Sequence, residues 1–169
     1  ARPRRTVIIF AKAPRLGAVK RRLGADIGLL NACRFYRRTL MAVTCRLARD
    51  QRWETRLVVT PDKAASTGRW WTPGVRRLPQ GQGDLGQRMA RALRAAGPGP
   101  VLLVGSDIPD LECGHLADAF RRLAGRDYVF GPAADGGFWL VGTGPGRAYR
   151  RMFQGVRWST PDTLAETLG

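Results

Sequence analysis

Two apolar runs in this 169-residue chain, TVIIFA (Thr6 to Ala11) and VLLVG (Val101 to Gly105), lack the polar–apolar alternation of a strand with one wet face. Such strands must be covered on both sides, and the covering has to come from the chain between them. Helical spacing follows where it is needed. From Leu29 to Asp50, residues Leu29, Cys33, Tyr36, Leu40, Val43 and Leu47 recur every three or four positions and mark one helix stripe. TRLVVT (Thr55 to Thr60) reads as a second strand ended by Pro61, with Asp62 capping a short helix towards Trp70; Val75 to Leu78 reads as a third. Asp84 is placed to cap a helix from Leu85 to Ala96, which the GPGP turn at Gly97 to Pro100 stops. A helix at Glu112 to Leu123, strands at Tyr128 to Phe130 and Phe138 to Val141, and a short helix near Asp162 to Leu168 complete the pattern. The alternation predicts a three-layer α/β/α architecture with a mostly parallel sheet and TVIIFA near its centre. Without repeats, linkers or low-complexity tracts, residues 1–169 read as one domain.

No apolar run approaches the ~18 residues of a membrane span, so the expectation is a soluble protein with no membrane partner. The basic start ARPRRTVIIFAKAP reads as a first strand and not as a signal peptide. Cys33, Cys45 and Cys113 are odd in number and widely spaced, which predicts free thiols in a reducing cytoplasm. The net charge of +16, from 29 Lys and Arg against 13 Asp and Glu, invites a nucleic-acid surface. Arginines are spread from Arg2 to Arg157 in ones, twos and threes, which favours a generally basic surface that attracts phosphorylated substrates.

The chemistry-bearing residues fall in four places. After the first strand, Lys12 to Arg22 holds two lysines, three arginines and Gly17 ahead of a short helical segment, a composition suited to di- or triphosphates. Its alternative is an exposed basic turn. Neither G-x-x-x-x-G-K-[ST] nor G-x-G-x-x-G is present, which removes the main support for P-loop and dinucleotide-binding readings. In QGQGDLGQRM, the amides of Gln80 and Gln82 interleaved with glycines such as Gly83 offer donors and acceptors to a nucleobase, with Asp84 as a further contact or simply a cap. Asp107 and Asp135 each follow an apolar strand into a small-residue turn, where a carboxylate pair suits Mg²⁺ or Mn²⁺ and its phosphates. Their alternatives are a helix cap for Asp107 and a hairpin turn for Asp135, whose glycines Gly136 and Gly137 leave room for a ligand. Asp110 reads as a cap, and His115 as a surface residue with no nucleophile elbow to serve.

Taken in order, FAKAPRLGAVKRRL, QGQGDLGQRM, VGSDIPDL and GPAADGGFWLVG resemble a bacterial family of small glycosyltransferase-A-like transferases associated with radical-SAM and selenoprotein-related genes, within the nucleotide-diphospho-sugar transferase superfamily. The resemblance runs from Val7 to Gly142 and continues weakly to WSTPDTLAET. It implies that Gly17, Lys20 and Arg22 hold nucleotide phosphates, that Asp107 binds the metal, and that Asp135 lies near the metal or the acceptor. The chain departs from the family's V-K-T-R-L at Arg21, which replaces a threonine hydroxyl, and is short around Lys63 to Gly74.

The resulting expectation is a cytoplasmic, Mg²⁺- or Mn²⁺-dependent transferase that takes an NDP-sugar or NTP donor and a small-molecule acceptor, by glycosyl or nucleotidyl transfer. Asp107, Asp135 and Lys20 are the catalytic candidates, with Lys12, Gly17, Arg22, Gln80, Gln82, Gly83 and Asp84 around the nucleotide. The competing expectation is a nucleotide-binding protein without turnover or a basic nucleic-acid-binding module.

Overall fold

A computed structural model describes residues 4–146 and 152–169. Part of the basic segment that follows Gly144 therefore lies outside the described residues. Six strands form one sheet in the order β3-β2-β1-β4-β6-β5, with β1 at Thr6–Lys12, β2 at Glu54–Thr60, β3 at Arg76–Pro79, β4 at Val101–Gly105, β5 at Tyr128–Pro132 and β6 at Phe138–Thr143. β1 to β4 run parallel, while β6 lies antiparallel to both β4 and β5. The sheet is mostly parallel with an antiparallel edge, as the short turn at residues 133–137 requires: so few residues cannot make a parallel crossover.

Both faces are covered, which explains the unbroken apolar run of β1. Val7, Ile9 and Ala11 point to one layer with Leu40, Val43 and Leu47 of α2 (Leu29–Ala48) and Leu116, Phe120 and Leu123 of α4 (Cys113–Leu123). Ile8 points to the other, with Met89, Ala92 and Leu93 of α3 (Leu85–Ala95) and Phe153 from the carboxyl-terminal stretch. Two shorter helices remain, α1 (Arg21–Ile27) and α5 (Thr163–Leu168).

Two local expectations need correction. Asp62 does not cap the short helix: Pro61 holds that position, Asp62 lies inside the 3-10 turn Asp62–Ala65, and its Oδ1 accepts from the Gly81 amide at 2.9 Å. Leu29 begins the α2 stripe but stays 47% exposed, because the first turn of α2 packs on α1 and not on the sheet; its side chain abuts Gly24, where any Cβ would clash.

The carboxyl-terminal stretch closes the second face. Phe153 and Trp158 pack together at 5.8 Å between ring centroids, and Trp158 meets the edge of Phe138 at 6.4 Å. The Phe153 Cβ and the Trp158 ring sit against Gly86 of α3, where a side chain would overlap them.

Candidate functional site

The order β2-β1-β4 reverses direction at β1, and an open α/β sheet gapes outside the carboxyl ends of its strands at such a reversal. A crevice of about 330 Å³ lies there. Its walls are the end of β1 (Phe10, Ala11, Lys12), the following loop (Ala18, Val19, Lys20), the end of β4 with its turn (Gly105, Ser106, Asp107), and Tyr36, Thr60, Gln80 and Leu85. A second cavity of about 350 Å³ opens at the other end of the sheet beside Arg5, Phe120 and Gly125, and holds none of the sequence-derived candidates.

Lys20 and Asp107, 87 positions apart, meet at the crevice as an ion pair, Nζ to Oδ2 2.7 Å. Their side chains are 29% and 48% exposed, so a ligand in the crevice reaches both. Lys20 precedes α1 in the left-handed backbone region (φ 49°), a conformation that costs a non-glycine residue of order 1 kcal/mol. Lys12 lines the crevice as well. Gly17 and Arg22 flank it in sequence without lining it.

Beneath this pair lies a contact the sequence did not announce. The buried Tyr36 hydroxyl of α2 accepts from the Lys12 amide (3.0 Å), donates to the Lys12 carbonyl (3.0 Å), and so takes the Ser106 hydroxyl (2.9 Å) as a donor. Burial pushes the Tyr36 phenol above its ordinary pKa, so it stays protonated at neutral pH. One side chain thereby fixes the end of β1 to the residue before Asp107. Tyr36→Phe leaves the Lys12 amide without its acceptor, and urea denaturation should read a loss of about 1–3 kcal/mol. The only sequence signal was a phenol on an otherwise apolar stripe.

Gln80 is buried, and its amide is already committed. Nε2 donates to the carbonyls of Ala11 (3.1 Å) and Val58 (3.2 Å), and Oε1 accepts from Arg88 (2.6 Å). It rivets the ends of β1 and β2 to α3 at the crevice floor. Asp84 forms a capping box with Gln87: Oδ1 accepts from the Gln87 amide at 2.8 Å and the Gln87 side chain accepts from the Asp84 amide at 3.0 Å. Gln82 and Gly83 are exposed on the approach to α3 and do not line the crevice.

Asp135 sits in the turn between β5 and β6, its Oδ1 accepting from the Gly137 amide at 3.0 Å. The antiparallel register Val104↔Leu140 brings that turn to the same end of the sheet as Asp107, outside the crevice walls. The expectation of ligand room beside Asp135 needs correction at Gly136, whose open side is filled by the Pro161 carbonyl. The turn is docked on the carboxyl-terminal stretch, with the Leu164 amide donating to the Gly136 carbonyl at 2.9 Å. His115 is exposed, accepts from the Glu112 amide through Nδ1 (3.0 Å) and helps to start α4.

Residues 42–160 match the profile of the family described as "Uncharacterized protein conserved in bacteria (DUF2064)", a stretch that includes both aspartates and the Gln-Gly segment. The chain belongs to that family. Among solved structures, a protein of Desulfovibrio desulfuricans G20 provisionally assigned as a nucleotide-diphospho-sugar transferase is 30% identical, with a TM-score of 0.81 over 97% of this chain and 75% of that one. The 4-diphosphocytidyl-2C-methyl-D-erythritol synthase of Anaerococcus prevotii DSM 20548 is 15% identical over 78% of this chain and 56% of that one, with a TM-score of 0.53 that shows a shared fold. No curated protein matches. The DUF2064 chain thus has a glycosyltransferase-A-like fold, and the 30% identical relative bears a transferase name.

Proposed function

We propose that the protein is a transferase that binds a nucleotide donor, an NDP-sugar or an NTP, in the crevice between β1 and β4. The Lys20–Asp107 pair carries this reading: a cation and a carboxylate from two loops converge at the sheet's reversal point, within reach of solvent. A hard divalent cation takes oxygen ligands, commonly one or two carboxylates with the rest from phosphate and water. Asp107 offers one such carboxylate. An oxygen donor of this kind suits Mg²⁺ or Mn²⁺ arriving with the donor's phosphates, which would supply further ligands. Once bound, the cation would supply positive charge where the leaving phosphate becomes more negative.

This chain's own residues do the rest. Lys20 and Arg22 contribute cationic charge to the phosphate end, with Lys12 and Gly17 in the same loop. Tyr36 and Gln80 keep the loops from shifting while the donor is held. Gln82 and Gly83 are assigned to the base end, next to the Asp84 cap, and Asp135 to the acceptor side or the cation. The acceptor is a small molecule, and the protein is placed in the cytoplasm, where Cys33, Cys45 and Cys113, free in this fold, stay reduced.

A melting-temperature screen of NTPs and NDP-sugars with and without Mg²⁺ or Mn²⁺ tests the reading. At about 100 times the dissociation constant, a ligand held only by the native state adds about 2.7 kcal/mol of stability. One donor class should raise the melting temperature only with the divalent cation; no shift with any nucleotide would overturn the assignment.

A further inference from the structure

Six of the seven large apolar side chains exposed among the described residues fall between positions 16 and 41: Leu16 (62%), Ile27 (43%), Leu29 (47%), Leu30 (54%), Phe35 (45%) and Met41 (40%). The first four lie at or near one corner of the chain, between the loop after β1 and the start of α2. Leu29 and Leu30 open α2 directly beyond the Gly28 corner that follows Ile27, and the Leu29 side chain borders Gly17, the neighbour of Leu16. Leu30 and Met41 lie with Arg34 and Arg37 at helical spacing on the face of α2 opposite Ala32, Tyr36, Leu40 and Val43, the residues that bury it. Two cationic side chains therefore lie between two apolar ones on a face that no other part of the described fold covers.

Charge is concentrated in the same segment. Between Lys12 and Arg49 there are ten Lys and Arg and a single acid, Asp26. Cations that look scattered along the whole chain become a local excess here, with Arg15, Arg21, Arg22, Arg34, Arg37 and Arg38 all exposed. A second copy of the chain is a poor occupant, since a two-fold contact would set this excess against itself. A nucleic acid would satisfy the arginines but offer little to protruding aliphatic tips, because sequence-tolerant strand binding relies on aromatic stacking. An anionic lipid surface satisfies both, with phosphates for the guanidinium groups and an acyl boundary for the leucines.

We propose that the α1–α2 corner is a peripheral docking surface for anionic phospholipid, with Leu16, Ile27, Leu29 and Leu30 entering the headgroup–acyl boundary and the surrounding arginines lying on the phosphates. The attachment is superficial: no helix among the described residues is long and apolar enough to cross a membrane. The loop that carries Leu16 also supplies Ala18, Val19 and Lys20 to the crevice, so docking brings the crevice beside the headgroups.

Vesicle co-sedimentation of the full chain at physiological ionic strength tests this without any nucleotide. Phosphatidylcholine vesicles containing phosphatidylglycerol should bind the protein and pure phosphatidylcholine vesicles should not. The charge-neutral pair Leu16→Ser with Leu30→Ser, both at exposed positions, should weaken partitioning at least about tenfold while leaving the melting temperature in place. Arg34→Gln with Arg37→Gln should weaken it about as much. Three results would each overturn the proposal: no binding by the unaltered protein, undiminished binding by the leucine pair, or tighter binding to duplex DNA or single-stranded RNA than to the anionic vesicles.

Discussion

If the proposed function holds, Asp107→Ala should remove metal-dependent nucleotide binding and leave the fold standing. Groups one contact away from a bound metal are already worth roughly 10–100-fold in affinity, so deleting the carboxylate itself should lower metal-dependent affinity by at least about 100-fold. Stability should hardly move, because Asp107 is about half exposed and surface ion pairs contribute about 0–1 kcal/mol. The geometry adds a second, opposite expectation. Asp107 neutralises Lys20 in the unliganded protein, so its removal frees a cation at the crevice. Weak binding of a nucleotide in the presence of EDTA should therefore persist or strengthen while binding with Mg²⁺ collapses. Calorimetry of wild type and variant with and without the chelator reads both changes, and undiminished Mg²⁺-dependent binding in the variant would remove Asp107 from the site.

Gly136→Ala should be among the most damaging single-methyl substitutions in the molecule. A Cβ at Gly136 would lie 2.6 Å from the Pro161 Cα and closer still to its carbonyl, and because these are backbone atoms no side-chain rotation relieves the overlap. Its φ of 84° adds a backbone conformation that alanine adopts only under strain. Relief requires lifting the carboxyl-terminal stretch, with loss of the Leu164–Gly136 hydrogen bond and disturbance of the Phe153–Trp158–Phe138 packing. The combined cost is on the order of 3 kcal/mol or more. Gly114→Ala is the matched control, because it lies on α4 with nothing near its missing side chain; there the helix propensity of alanine should stabilise by up to about 1 kcal/mol. Equal urea midpoints for Gly136→Ala and wild type would show that the turn is not held as described.

The layers were legible because local pattern and burial agree. β4 occupies the predicted Val101–Gly105, and β1, β2 and α3 differ from expectation by one residue at an end. The Asp84 cap was legible for the same reason: its partner Gln87 is three residues away. What escaped were contacts between distant parts of the chain. Nothing near Tyr36 in sequence points to Ser106, 70 positions on, and nothing near Gly136 points to Pro161. Asp62 escaped for a related reason: a cap position looked right locally, but an amide from the loop after β3 took the carboxylate. The candidate residues divide in the same way. Lys12, Lys20, Gln80 and Asp107 come together at one crevice; Gln82, Gly83 and Arg22 flank it in sequence without lining it, and Asp135 shares the end of the sheet without sharing the pocket.

The glycine turn before β6 has a mechanical consequence. Since Gly136 is locked to Pro161 and Leu164, while Gly86 at the start of α3 is locked to Phe153 and Trp158, the carboxyl-terminal stretch ties the turn between β5 and β6 to α3. These parts should open as one cooperative unit and not as separate fraying ends, so their amides would share a single opening free energy in hydrogen exchange. A protease cut near Gly155 would then be felt at the Asp135 turn, tens of residues away in sequence, before any strand of the sheet came apart.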